Sequence, residues 1–134
     1  LANFFGRCVV VDLSYLHQVI TADDIKDLVF EERVLFKVFA VASHFAYFDE
    51  SAIELLATRG VKLIGTNALS VDAIDAKVLN AHHACFKNQI QIIEGLLLDD
   101  VPPGFYGFIG FPLKLSGADA SPIRAMVFAG DFYA

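Results

Sequence analysis

"GVKLIGTNALSVDAIDAKVLNAHHACFKNQIQIIEGLLL" (residues 60–98) carries the decisive pattern of this chain. "VKLIGT" (61–66) is an almost wholly apolar run, the mark of a strand inside a sheet rather than at its surface. "NALSVDAID" that follows is rich in turn formers and reads as a loop. Residues 76–87 place Val78, Leu79, Ala81, Cys85 and Phe86 at spacings that suit a helix. "IQIIEGLLL" (90–98) then reads as a strand running past Gly95. A strand, a helix and a second strand in succession define an α/β unit.

The pattern extends toward the N-terminus. "RCVVVDLS" (7–14) is a β-branched run with the character of a buried strand, and "RVLFKVFAVA" (33–42) is a second. Between them "TADDIKDLVF" offers Thr21 as an N-cap, with Asp24 in the position of a capping-box acid, and predicts a short helix over 22–29. "DESAIELLATRG" (49–60) is a helix with Asp49 or Ser51 as cap, acids in its early turns, Arg59 at its end and Gly60 as the stop. Beyond residue 98, "FYGFIGFPLKL" (105–115) reads as a strand ended near an edge or bend by Pro112, and "IRAMVFAG" (123–130) as a last strand. No linker divides the chain, and no internal repeat or low-complexity tract interrupts it.

The bulk properties bound the function. At 134 residues the chain is one domain. Apolar residues make up 56% and mean hydropathy is +0.55, above the usual range for a self-sufficient monomer, so apolar surface is expected to be covered by another subunit or by a further part of the same protein. A net charge of −6 without a Lys/Arg cluster argues against nucleic acid and anionic membrane as partners. No apolar stretch reaches the ~18 residues of a membrane helix, and the N-terminus lacks the features of a signal peptide. It also lacks an initiator methionine, as expected of a processed product or a fragment. Two isolated cysteines, Cys8 and Cys85, point to reduced thiols and a cytoplasmic protein.

Several residue groups invite a chemical reading. Gly104, Gly107 and Gly110 are interleaved with aromatics inside a strand pattern, which signals close packing, not a phosphate loop. Ser70, Asp72 and His82 contain the residue types of a hydrolytic triad, but no GxSxG elbow surrounds Ser70. The 13 phenylalanines, without interleaved cations, are core material, not a base-stacking platform. Arg124 reads equally as a strand-end cation or as an anion clamp. The adjacent His82 and His83 and the later Glu94 are of the residue types that bind zinc or manganese. By periodicity alone they are a helix-end pair and a strand glutamate, because a catalytic metal takes at least three protein groups. His17 and His44 lie in unrelated contexts.

The order of motifs adds to this. "GVKLIGT", the SxD of Ser70–Asp72, the His82-to-Glu94 spacing, "PLK" and "SPIRA" occur in one sequence, and from Gly60 to Met126 the chain resembles the C-terminal half of the cyclase/kynurenine-formamidase family of metal-dependent hydrolases. "LANFFGRCVVVDLS" is similar to the segment that follows this family's metal signature. The resemblance implies a swivelling β/α/β domain, a divalent metal (zinc or manganese) with His82 and Glu94 among its ligands, and hydrolysis of an amide such as N-formylkynurenine by metal-bound hydroxide. It implies a small-molecule substrate, with Ser70, Asp72, Tyr106 and Arg124 and the "GADASPIR" loop about the pocket, and a homo-oligomer. The family's HxGTHxD signature and its acid–base histidine are absent and would precede Leu1, so no catalytic residue is assigned in this chain. The isolated chain is expected to be inactive, and a non-catalytic scaffold with this fold is the alternative. The family usually has Asp where this chain has Asn67, which leaves the substrate or the pairing of that loop open.

Overall fold

The structure is a computed structural model that describes residues 1–130. After a 3-10 turn (Ala2–Phe4) come β1 (Phe5–Leu13), β2 (Val19–Ile20), α1 (Ala22–Ile25), β3 (Arg33–Val38), β4 (Ala40–Val41), β5 (His44–Phe45) and β6 (Tyr47–Phe48). They are followed by α2 (Glu50–Thr58), β7 (Leu63–Thr66), α3 (Asn80–Lys87), β8 (Gln91–Ile93), β9 (Gly104–Ile109) and β10 (Met126–Phe128). Six strands form one sheet in the order β10-β9-β1-β3-β7-β8. β1, β3, β7 and β8 are mutually parallel, and β9 and β10 add antiparallel at one side. Short ladders pair β2 with β6 and β4 with β5.

Strand alternation sorts the core into two layers. Val9, Val34 and Ile64 lie in register and face the cluster that includes Ile25, Ile53, Leu56, Ala81 and Cys85 of the helices. Val10, Leu35 and Gly65 lie in register on the other face, where Leu98, Phe108 and Ile93 pack. Gly65 makes room there: a Cβ would stand 2.6 Å from Leu35 Cδ2 and 2.7 Å from Leu96 Cδ1, and both leucine side chains would have to shift. Gly110 is similarly crowded, with Phe108 Cζ 3.0 Å from the position of a Cβ.

Arg33 anchors the start of the sheet. It is 6% exposed, and its guanidinium donates to the carbonyls of Asn3 (2.8 Å), Ala2 (3.0 Å) and Arg7 (3.1 Å). Gly6, at φ +135°, lets that group lie flat against the backbone, since a Cβ would come within 2.8 Å of a guanidinium nitrogen.

Several elements are shorter than the sequence pattern suggests. The helix expected over 22–29 stops at Ile25: Leu28 N–H donates to Ile25 O, three residues back and not four, and Arg59 Nη2 bonds to Lys26 O just beyond the helix. The run 33–42 leaves the sheet after Val38 and folds into the β4–β5 hairpin. The run 90–98 ends as a strand at Ile93, since Gly95 turns at φ +70° and Leu96 N–H returns to Thr66 O. The strands expected over 105–115 and 123–130 contract to β9 and β10, linked beyond their paired residues by an isolated bridge between Pro112 and Ile123.

Burial pushes the Cys8 and Cys85 thiols up to about 12, and both cysteines are free. At pH 8 this leaves on the order of one thiolate in ten thousand. Both are expected to resist a thiol-reactive disulfide reagent in the native state and to react on unfolding in urea; rapid native labelling at pH 8 would contradict their placement. Replacing Arg33 with Met strands three carbonyls and is expected to cost about 3 kcal/mol in urea unfolding; an unchanged midpoint would refute the anchor.

Candidate metal centre

The centre begins with the loop after β7. Ser70 Oγ accepts the Asp72 N–H at 3.1 Å, an ST turn that aims the Asp72 side chain inward, where the residue is 4% exposed. That carboxylate does the work of a missing N-cap for α3. Leu79 stands at the cap position and offers no side-chain bond, while Asp72 Oδ1 accepts the Ala81 N–H at 2.8 Å and Oδ2 the His82 N–H at 3.0 Å. The helix therefore starts at Asn80 and not at residue 76.

The same Oδ2 lies 2.7 Å from His82 Nδ1. A carboxylate that already accepts two N–H groups requires the imidazole to present its proton at Nδ1, which leaves Nε2 as the outward nitrogen. Nε2 lies 3.0 Å from Glu94 Oε1. Glu94 stands just past the end of β8, and its Oε1 also accepts the Val71 N–H at 3.1 Å. Carboxylate, imidazole and carboxylate thus form a line, with the outer pair about one-third exposed.

This donor set fits a divalent cation. Two ligand bonds of ~2.1 Å meeting on one ion put their donor atoms roughly 3.0–3.4 Å apart, depending on the bond angle; His82 Nε2 and Glu94 Oε1, at 3.0 Å, stand at hydrogen-bond separation and at the short end of that range. Asp72 stands where a carboxylate would fix the tautomer of a histidine that bound such an ion. Among the described residues no group of three or more His, Cys, Asp or Glu is placed to hold a metal ion, and His82 and Glu94 offer at most two donors.

The pair opens into a groove of about 950 Å³ along α3 and the edge strand β8, lined among others by His83, Phe86, Gln89, Gln91 and Asp119. The tip of the "GADASPIR" loop reaches it through Asp119 and Ala120. Tyr106 does not: it pairs with Cys8, packs with the cluster on the sheet face opposite α3, and donates its hydroxyl to Pro102 O at 2.7 Å. Arg124 is exposed ahead of β10 and is not among the residues lining the groove. Ser70 is spent on the loop turn, and the His82 Nε2 that a serine triad would use faces Glu94. His17 and His44 meet each other, the His44 ring against the His17 carbonyl, away from this centre. The capping and orienting role of Asp72 is not legible from sequence, since ten residues and a loop separate it from His82; an acid near an uncapped helix start is the only local hint.

Asn67, where the resemblance leads one to expect Asp, bonds to β3 and not to the centre. Its Oδ1 accepts the Val38 N–H at 2.7 Å and its Nδ2 donates to Val38 O at 3.0 Å. A carboxylate could not make the second bond.

Solved structures with this arrangement of strands and helices are cyclase-like metal-dependent hydrolases. A potential metal-dependent hydrolase with cyclase activity matches at TM-score 0.86 and 35% identity, over 95% of this chain and 66% of its own. A predicted metal-dependent hydrolase from Bacillus stearothermophilus matches at 0.84 and 35%, over 93% and 64%. An isatin hydrolase, 21% identical at TM-score 0.76, shares the fold. The class is therefore the cyclase-like α/β fold. Among curated proteins, the kynurenine formamidases of Sphingopyxis alaskensis and Erythrobacter litoralis are each 38% identical over 95% of this chain. The chain belongs to the cyclase/kynurenine formamidase family, and it spans 65% and 62% of the length of those two relatives. No protein-family model matches it.

Replacing Asp72 with Ala removes the cap and the imidazole's anchor together, and is expected to cost about 2–4 kcal/mol in urea unfolding. His82→Ala keeps both capping bonds and should cost clearly less. An equal or inverted ranking would show that the carboxylate does not hold the helix.

Proposed function

We propose that this chain forms part of a metal-dependent hydrolase that cleaves the amide of an N-acylated aromatic amine, N-formylkynurenine being the reference substrate. The Asp72–His82–Glu94 line in a family of formamidases and metal-dependent hydrolases is the observation that carries the reading. His82 Nε2 and Glu94 would hold one face of a divalent cation, zinc or manganese. When bound, such an ion supplies Lewis acidity, polarising a carbonyl and making water a competent nucleophile near neutral pH.

This chain's own groups have defined tasks. Asp72 retains the proton on His82 Nδ1 and so keeps the Nε2 lone pair directed outward. Val71 N–H orients the Glu94 carboxylate by a charge-assisted bond. Phe86, 87% exposed on the groove wall, offers an apolar surface to an aromatic ring, and Gln89 and Gln91 offer amides to its polar substituents. The remaining metal donors and the acid–base group would come from residues outside this chain, and the whole protein would be a homo-oligomer with a small-molecule substrate. Two donors alone also describe a scaffold without catalysis, and the experiment separates the two readings.

In the intact protein, metal content and hydrolysis of N-formylkynurenine are expected to fall together, at least tenfold, in His82→Ala and in Glu94→Ala. Removal of metal by a chelator should abolish hydrolysis, and zinc or manganese should restore it. Variants that retain both metal and activity would remove these residues from the site. A wild-type protein without stoichiometric metal would favour the scaffold.

A further inference from the structure

Asn67 stands at the point where the chain leaves the sheet to build the centre. In a parallel strand the N–H and C=O of one residue point to the same side, and at Val38 both are met by the Asn67 carboxamide, at 2.7 and 3.0 Å. The last strand-to-strand register between β3 and β7 is Phe36 with Thr66. The side chain thus supplies one more rung in place of the backbone, and the backbone is free to turn away.

That turn immediately enters the hydrogen bonds of the centre. Ala68 N–H folds back onto Thr66 Oγ1 at 3.1 Å, and Ala68 O accepts the Gly95 N–H at 2.8 Å, one residue beyond Glu94. Val71 N–H binds Glu94, while Val71 O accepts the Phe48 N–H at 2.9 Å. Asp72, the next residue, holds His82. Four residues therefore separate a side chain bonded to β3 from the carboxylate that orients the imidazole, and the path between them is bonded to the Glu94 carboxylate and to the Gly95 N–H.

We propose that Asn67 is a positioning residue for the metal centre: its paired donor and acceptor fix where the 68–72 loop departs, and through it the placement of Asp72 and Glu94 about His82. The proposal rests on the reading of that centre given above. In this chain the amide matches Val38, which offers one donor and one acceptor, and an ionised carboxylate in the same pose would set oxygen against oxygen.

The test uses the intact protein with Asn67→Asp, which keeps the acceptor and loses the donor, and the milder Asn67→Ser. Thr21→Ala, at the cap of α1, serves as a destabilised control. In ¹H–¹⁵N spectra the amides of Val71, Ala81 and His82, which bond to Glu94 and Asp72, should shift in whichever Asn67 variant stays folded and not in the control. The Kd for zinc or manganese alone should rise at least threefold. If melting temperature falls while those three amides stay in place, Asn67 is merely structural and the proposal is overturned. If the wild-type protein binds no metal, the functional reading fails, and the amide shifts by themselves still decide the role of Asn67.

Discussion

The carboxylate of Asp72 is the constraint on which this architecture turns. It is nearly inaccessible to solvent and accepts two backbone N–H groups and one imidazole N–H. A buried carboxylate without partners would cost several kcal/mol, so the loop, the start of α3 and the rotamer of His82 are satisfied together or not at all. Helix capping and site geometry are consequently one interaction. The helix begins where the imidazole must stand, because the same two oxygens define both.

The sheet places that carboxylate. Parallel strands end together, and the loops leaving β7 and β8 run side by side, which brings residues 68–72 against Glu94 through main-chain bonds. Such crevices at the carboxyl ends of parallel strands are where open α/β sheets keep their ligands. The antiparallel half contributes differently. Phe105, Met126 and Phe128 on β9 and β10 are 62%, 50% and 37% exposed, and Phe5 stacks on Phe111 at the same side. The high hydropathy of the chain is thus shared between two core layers and exposed apolar side chains of this kind. Among the described residues no helix is long and apolar enough to cross a membrane.

The α/β class, the order of the main strands and helices, and a cap at Asp49 or Ser51 are legible from residue patterns; the structure gives the cap to Asp49, which accepts the Ala52 N–H at 3.0 Å, and adds the short β2, β4, β5 and β6. His82 and Glu94 were named as a pair by their spacing within the motif order of the family. Most other element ends are not legible. They are decided by distant competitors for backbone groups: Arg59 at Lys26, Asn67 at Val38, Asp72 at the start of α3. Tyr106 as an apolar wall and Arg124 of "SPIRA" are expectations of the resemblance, but sheet register puts Tyr106 on the opposite face, which sequence order does not encode.

What the sequence by itself determined is periodicity and punctuation: which stretches bury apolar side chains, where a glycine or an acid can end them, and which residue types are present for chemistry. These are local properties, set within a turn or a strand pair. Only the tertiary structure decided that Asp72 serves His82, that Asn67 serves Val38, and that His82 Nε2 meets Glu94 at 3.0 Å. Each of these joins residues ten or more positions apart, and each exists because burial forces a polar group to find its partner wherever the fold brings one.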